Sequence, residues 1–481
     1  MKLTKIFDVN VKKDIRNLMS DSRIQSDSAM FFCLEGVSYD GHDFVDEAIA
    51  NGAICIVHSK ALEKRNKEVT YIKVNDVQIA LNQAINAFYS NCFSKMHIMG
   101  VTGTAGKSTV AYWLSAMINE FEPCGYIGSL GVTYPGYKTI DNFTHSEEIV
   151  LADFLHQMYK GGVKSCALAL SSISLELQNA DFLEYDTAIF THFSSEHLDF
   201  HGTINNYLTA KKKLFDNLGS NKVAIVNADD SVAKEMVADS LAEVISYGID
   251  KNADFQAINP VYTAKNTTFT LVHKNQNYDV ISNIIGDFNL YNLLAVIACL
   301  YHLKKPLDDI LRLVKKMPVV SGRMEVIDQG QNFNVIVDYA HTVEGYEKVL
   351  SFAQRATTTR GRLIVVFGAP GKRDSSKRQI LGQVADKYAN LIILTEEDQR
   401  NENPQEIATQ IIKGIKNTEY YFIEEREYAI EQAISVAQKG DTVVILAKGD
   451  ELFIDRGLGK MMYNYKGDAQ VAKDCLRSTV R

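Results

Sequence analysis

The stretch Lys95–Leu114, KMHIMGVTGTAGKSTVAYWL, constrains this chain more than any other. It reads as a buried strand, a glycine-punctuated turn closing on Gly106-Lys107-Ser108-Thr109, and the opening of a helix. That order builds a phosphate cradle on a parallel α/β sheet. Glycines let backbone N–H groups close around phosphate oxygens, a lysine such as Lys107 brings mobile positive charge, and a hydroxyl such as that of Ser108 suits Mg²⁺. Gly103, Thr104, Gly106 and Thr109 complete the expected cradle. The spacing is unusual, because the glycine expected five positions before Gly106 is Val101, with glycines instead at Gly100 and Gly103.

The 481 residues exceed what one compact core accommodates and predict about three domains. A formal net charge of −8 argues against nucleic acid or an anionic membrane as the main partner. Seven scattered cysteines without a Cys-x-x-Cys pair point to reduced core thiols in a cytoplasmic protein. No apolar run has signal-peptide character or the ~20 residues that span a bilayer, so neither export nor a membrane segment is expected. Monomer is the default state.

The predicted fold class is α/β. In residues 1–94, apolar runs at Ala29–Leu34, Ala53–Val57 and Tyr71–Val74 alternate with helical patterns at Phe44–Asn51 and Val77–Tyr89. Residues 95–317 carry the cradle, strand-like Cys166–Ser172 and Thr187–Phe193, a meander-like alternation over Asp254–Val280, and a turn entering a long apolar helix over Gly286–Leu303. Open parallel sheets bind ligands outside the carboxyl ends of their strands, so the loops after Met99, Leu170 and Phe190 are expected to converge on the phosphates. Residues 318–481 repeat the strand–loop–helix order in VIVDYAH, LIVVFGAPGKRD, LIILTEEDQR and TVVILAKGD.

Further motifs follow in sequence. The first block has Asp21-Ser22-Arg23, Phe31-Phe32 and Gly41-His42-Asp43-Phe44. The second has GVTGTAGKST, EHLDFHGT (Glu196–Thr203), AKKKLF (Ala210–Phe215) and GDFNLYN. The third has SGRMEV (Ser321–Val326), DYAHT (Asp338–Thr342), GAPGKRDSSKR (Gly368–Arg378) and AKGDE (Ala447–Glu451). In this order they resemble the Mur ligase family, most closely its MurE type, over nearly the whole chain.

The resemblance implies three domains: residues 1–94 for the UDP-sugar end of a substrate, residues 95–317 as a central ATP-binding P-loop domain with a parallel sheet, and residues 318–481 as a Rossmann-like domain for the amino acid. It implies an ATP-dependent ligase of peptidoglycan synthesis that adds an amino acid to UDP-N-acetylmuramoyl-L-alanyl-D-glutamate through an acyl phosphate. ATP and Mg²⁺ would be the cofactors. The partners would be the UDP-linked muramoyl peptide and a free amino acid, with no nucleic acid and no membrane. Lys107, His197 and Lys211 match catalytic positions. Ser108, His197 and Lys211 match metal positions, Lys211 falling on the lysine that the family carbamylates. Asn289, Asn292, Arg323 and Asp338 match nucleotide contacts. Ser22, Thr144 and Ser171 match acyl-substrate positions, and Arg378, Asp398, Arg400 and Glu451 match amino-acid positions.

In that last pocket the family's Asp-Asn-Pro-Arg, found in enzymes using meso-diaminopimelate, is replaced by Glu397, Asp398, Gln399 and Arg400. The arginine is kept, but two acids beside it lean toward a basic L-amino acid with a distal ammonium. Other departures cluster at the acyl-substrate and metal end. The family's Glu-x-Ser-Ser-His is Ala169-Leu170-Ser171-Ser172-Ile173, and an expected arginine is Asn179. Asn-Thr-Thr-Pro is Asn142-Phe143-Thr144-His145, Asn-Leu-Thr-x-Asp-His is His192–His197, and Ala105 stands where asparagine is usual. Glu147, Glu176 or Glu196 offers a substitute acid for the metal. A ligase acting on a different carboxylate, or a nucleotide-binding paralogue with little or no ligase activity, are the alternatives these losses raise. Taken alone, Lys211-Lys212-Lys213 reads as a solvated helix face, His197–His201 as a loop, and Trp113 as core.

Overall fold

A computed structural model describes all residues except 10, 12, 37–38, 63–65, 141–142, 144–146, 458–462 and 480–481. Thr144, Asn142 and His145 thus lie outside the described residues.

The apolar runs become strands of three main sheets. The first holds β1 (Asn17–Met19), β2 (Ala29–Phe32), β3 (Ala53–His58) and β4 (Thr70–Lys73), all parallel and in chain order. All of β2 is buried, which is why it reads as an unbroken apolar run rather than an alternating one. β1, only three residues long, carries no periodic signal in the sequence.

The second sheet is eleven-stranded. Its strands are β5 (His97–Thr102), β6 (Cys124–Gly128), β7 (Gly131–Tyr134), β8 (Tyr137–Thr139), β9 (Ser165–Ala169), β10 (Thr187–Phe190), β11 (Val223–Asn227), β12 (Glu243–Gly248), β13 (Phe255–Tyr262), β14 (Thr267–His273) and β15 (Gln276–Ser282). They lie in the order β15-β14-β13-β12-β11-β10-β5-β9-β6-β7-β8. Strands from β6 across to β13 are parallel, and antiparallel ribbons extend both edges. The expected meander is the β13–β15 ribbon, whose alternating burial on β14 matches its alternating sequence. Helices Lys107–Ile118 and Asp287–His302 share a hydrophobic core with this sheet. The second is buried on nearly every side, so it shows an apolar run without a polar stripe. Trp113, on the first, is buried, and its Nε1–H donates to the Pro318 carbonyl at 3.0 Å.

The third sheet holds β16 (Glu325–Val326), β17 (Asn334–Asp338), β18 (Leu363–Phe367), β19 (Leu391–Leu394), β20 (Glu419–Phe422) and β21 (Thr442–Leu446), ordered β16-β17-β21-β18-β19-β20. All but β16 run parallel. Among the described residues, no helix is long and apolar enough to cross a membrane.

Beneath this sheet the Arg426 and Asp468 side chains are both 0% exposed. Arg426 donates to both Asp468 oxygens at 2.7 Å and to the Leu446 carbonyl at 2.6 Å, and the Tyr465 hydroxyl donates to Asp468 at 2.7 Å. Removing one partner strands the other's charge in an apolar core. Asp468→Ala should therefore cost about 3–5 kcal/mol in urea unfolding of this part of the chain, and a loss under 1 kcal/mol would refute the account.

Candidate functional site

β5 lies between β9 and β10. From β5 the chain passes over β9's place to β6, returns to fill it with β9, and then crosses to β10 on the other side. Strand order reverses there, so a crevice opens at the carboxyl ends of β5, β9 and β10. Hydrogen bonds tie the three loops together. The Thr102 hydroxyl donates to the Leu170 carbonyl at 3.0 Å, Thr104 N–H to the His192 carbonyl at 2.6 Å, and the Thr191 hydroxyl to the Ala105 carbonyl at 2.6 Å.

The turn needs its glycines for both space and backbone angle. Gly103 and Gly106 have φ of +150° and +89°. A Cβ on Gly103 would stand 2.0 Å from Thr191 Oγ1, and one on Gly106 2.4 Å from Asn292 Oδ1. The odd spacing has a structural reason: Val101 is still inside β5, paired to Ile189 and Ala169, so the turn starts later and requires no glycine there.

Two lysines meet on one carbonyl. Lys107 Nζ donates to the carbonyls of Gly103 and Thr104 at 3.0 and 2.8 Å, and Lys211 Nζ donates to the same Gly103 oxygen at 2.8 Å. Helix Ile204–Asp216 turns Lys211 inward over the Tyr207 ring, 4.5 Å from its centroid, leaving it 1% exposed. The solvated-face reading of the lysine run thus fails at this residue. Neither lysine forms an ion pair among the described residues. Burial pushes the Lys211 amine well below the usual lysine value, and the Lys107 charge pushes it the same way. Burial also lowers Lys107, helped by Arg323 and opposed by Glu196.

A cleft of about 740 Å³ opens above the turn, lined on one side by Lys107, Ser108 and Asn292 and on the other by Arg323 and Asp338. Gly103 sits just behind it. The Ser108 hydroxyl lies 2.6 Å from that of Ser129, and Thr109 is buried in the first helical turn. Asn289 donates to the Ile285 carbonyl at 2.9 Å and accepts from Asn292 at 3.1 Å. Arg323 stacks over Tyr339, 4.1 Å from the ring centroid, and pairs with Asp450 at 3.0 Å. Asp338, ending β17, accepts from the N–H groups of Met324 and Ala340, both at 2.7 Å, and burial raises its pKa.

The loop after β10 spans the cleft. His192 sits between Asp230, at 2.9 Å, and Glu344, at 2.6 Å on helix Val343–Ala356. Glu196 accepts from His341 at 3.0 Å, and its other oxygen lies 3.7 Å from His197 Nε2. Burial acts to raise the Glu196 carboxyl, but His341, His197 and Lys107 hold it down to about 2. Burial likewise opposes the charged form of His192, while Asp230 and Glu344 win and raise its pKa. His197 has a left-handed backbone, φ +54°, and Leu198–His201 forms a single helical turn rather than the expected loop. His201 turns away from His197 to Ser172, at 3.0 Å.

These groups fit a divalent cation in part. Among the described residues, no three His, Cys, Asp or Glu side chains cluster as a metal cage. Mg²⁺ prefers oxygen ligands and keeps few protein ones, so the Glu196 carboxylate, the Ser108 hydroxyl and His197 suffice if phosphate oxygens join them.

The remaining sequence candidates lie elsewhere. Ser171 lines the cleft and caps helix Ser172–Glu176. Ser22, in the first sheet's region, donates to Glu47. Arg378 is buried and spends its guanidinium on Glu402, Gln410 and the Pro370 carbonyl. Arg400 pairs with Asp398 at 2.9 Å and Asp455 at 3.3 Å, while Asp398 also binds Lys448 at 2.8 Å. Lys448 in turn reaches Glu451, which faces the Tyr339 hydroxyl. Sequence reasoning missed Ser129, His341 and Glu344. His341 lay inside DYAHT and could have been flagged; the other two sit in no motif.

Three family models match successive stretches: "Mur ligase family, catalytic domain" over residues 14–89, "Mur ligase middle domain" over 101–300, and "Mur ligase, glutamate ligase domain" over 322–449. The chain is 36% identical over 450 residues, 92% of it and 91% of the relative, to UDP-N-acetylmuramoyl-L-alanyl-D-glutamate--2,6-diaminopimelate ligase 1 of Clostridium acetobutylicum. It is 35% identical over 480 residues, 97% of it and 94% of the relative, to the UDP-N-acetylmuramyl-tripeptide synthetase of Borreliella afzelii. A solved UDP-N-acetylmuramoyl-L-alanyl-D-glutamate--2,6-diaminopimelate ligase superposes with a TM-score of 0.72 at 26% identity, covering 100% of this chain and 99% of that one.

The His192 bridge makes stability depend on pH. Its folded pKa is raised, so its contribution is fully present below the unfolded value of about 6.5 and fades as pH rises through the folded one. His192→Asn should lower the melting temperature more at pH 6 than at pH 9; equal losses at both would refute a titrating bridge.

Proposed function

The chain belongs to the Mur ligase family, and from that premise we propose that it is an ATP-dependent, ADP-forming ligase joining an amino acid to the carboxylate of UDP-N-acetylmuramoyl-L-alanyl-D-glutamate in peptidoglycan synthesis. The observation that carries this reading is the pair of lysines on the Gly103 carbonyl, without acidic partners among the described residues, of which Lys107 lines the cleft opposite Arg323 and Lys211 is buried behind it. The three sheets divide the labour: residues 1–94 hold the UDP end, 95–317 the ATP and 318–481 the amino acid. All three substrates are small and soluble, in keeping with a cytoplasmic monomer.

Phosphoryl transfer from ATP to a carboxylate brings two anions together, so the chain must align them and offset their charge. The turn's backbone from Gly103 to Thr109 cradles the phosphates, with Lys107 beside them. Asn289 and Asn292 face the nucleotide from below, and Arg323 and Asp338 close from the third sheet. Mg²⁺, held by Ser108, His197 and a carbamate on Lys211, would offset negative charge on the phosphates. Lys211 suits that modification because its amine is depressed toward the neutral form. The lone pair of the neutral Nζ amine bonds to the carbon of CO₂, one N–H proton leaves to solvent, and a neutral amine becomes an anionic carbamate. Transfer of the terminal phosphoryl of ATP to the substrate carboxylate gives an acyl phosphate and releases ADP; the amine of the amino acid then attacks the acyl carbon, loses a proton and expels inorganic phosphate as the amide forms.

For that amino acid the pocket favours a basic diamino acid. Arg400 is already neutralised by Asp398 and Asp455. The Glu397 carboxylate, on a residue 8% exposed, has no hydrogen bond or ion pair among the described residues, and burial raises its pKa. An ammonium would relieve that buried acid. Diaminopimelate, the substrate named for the Clostridium relative, is the second reading; its distal carboxylate would have to draw Arg400 away from two acids.

ADP release should require both the UDP-muramoyl dipeptide and an amino acid, with lysine or ornithine ahead of meso-diaminopimelate by about tenfold in kcat/KM. Nucleotide binding without turnover on any carboxylate would overturn the ligase assignment, and a preference for diaminopimelate would overturn the pocket reading. Lys211→Ala should lower kcat by about 10²–10³ with ADP affinity little changed; undiminished turnover would remove Lys211 from the mechanism.

A further inference from the structure

We propose that Glu196 supplies the acidic cation ligand that the strand end at Ala169 lacks, so that one loop presents both Glu196 and His197 to the divalent ion beside Ser108. The inference rests on the ATP-dependent reading above and concerns which side chain of this chain meets the ion.

The end of β9 presents a small, closely packed residue and no acid. Ala169 is buried and paired to Val101. Its Cβ and the Tyr126 hydroxyl crowd the same space, since a Cβ on Gly128 would meet them at 2.8 and 2.5 Å. The Tyr126 hydroxyl is itself fixed, accepting from Leu130 N–H at 3.2 Å. A longer side chain at 169 would have to displace that packed ring.

The other acids lining the cleft are committed. Asp229 accepts from the N–H groups of Ile249, Asp250 and Lys251, Asp230 from His192, Phe193 and Val232, and Asp338 from Met324 and Ala340. Glu344 is shared by His192 and Lys348, and Asp250 is exposed. The sequence's two other candidates stand apart: Glu176 pairs with Lys213, and Glu147 faces Ser20.

Glu196 differs on each count. Its side chain is 15% exposed and lines the cleft with Lys107, Ser108 and His197. Oε1 is held by His341, whereas Oε2, 3.7 Å from His197 Nε2, lies beyond hydrogen-bond reach and can accept a cation. A carboxylate with one oxygen anchored and the other directed beside an imidazole is a common form of metal ligand. The anchor comes from the third sheet, so the ligand is oriented only when that sheet covers the cleft.

The test uses full-length protein, a non-hydrolysable ATP analogue and Mn²⁺ as the probe, with bound and free Mn²⁺ read by electron paramagnetic resonance. Glu196→Gln should weaken Mn²⁺ binding to the protein–nucleotide complex about tenfold or more, while metal-free nucleotide affinity changes less than about twofold. Glu196→Asp, which keeps a carboxylate, should stay within about threefold of the original. His341→Gln removes the anchor and spares the carboxylate, so it should cost less than Glu196→Gln. Unchanged Mn²⁺ affinity in Glu196→Gln, or an equal loss in His341→Gln, overturns the inference alone. Failure of the unaltered protein to bind Mn²⁺ with the nucleotide overturns both it and the ATP reading.

Discussion

Two ammonium groups converging on the Gly103 carbonyl, with no carboxylate paired to either among the described residues, set the terms for everything around them. A carbonyl dipole offsets only part of that charge, and in a partly buried site the remainder is weakly screened. The sheet's crossover at β5 creates the crevice, the glycines bring the backbone close, and helix Ile204–Asp216 delivers the second lysine from 108 residues away. An anion arriving there completes the electrostatics. Without one, the cheaper solution is to keep Lys211 neutral, and neutrality is what its proposed modification requires.

The loop after β10 makes two contacts across the cleft. His192 and Glu196 both reach residues beyond the second sheet, Glu344 and His341. These two side chains therefore link the loop beside the glycine turn to the third sheet. Arg323, stacked on Tyr339 and paired with Asp450, continues the same seam from the far side.

Much of the fold was legible because its signals are local. Unbroken apolar runs marked the parallel strands, alternation marked the β13–β15 ribbon, and an all-apolar helix marked Asp287–His302. The strand, glycine turn and helix from His97 to Ile118 were legible for the same reason. What the sequence hid depends on partners far along the chain. Lys211 sits in a run that looks solvated, and only packing against Tyr207 and Gly103 buries it. Arg378 and Arg400 look like free cations until their carboxylates are placed beside them. Glu196 stood among three interchangeable acids, and only tertiary distances separate it from Glu147 and Glu176.

Trp113 is the sole indole in the chain, and it is fastened to the backbone at Pro318, where the polypeptide leaves the second sheet for the third. A movement of the third sheet that shifted Pro318 would alter that hydrogen bond and with it the surroundings of a single chromophore. One indole at that junction is thus a built-in optical gauge, whose emission colour and intensity would report a shift there with no label attached.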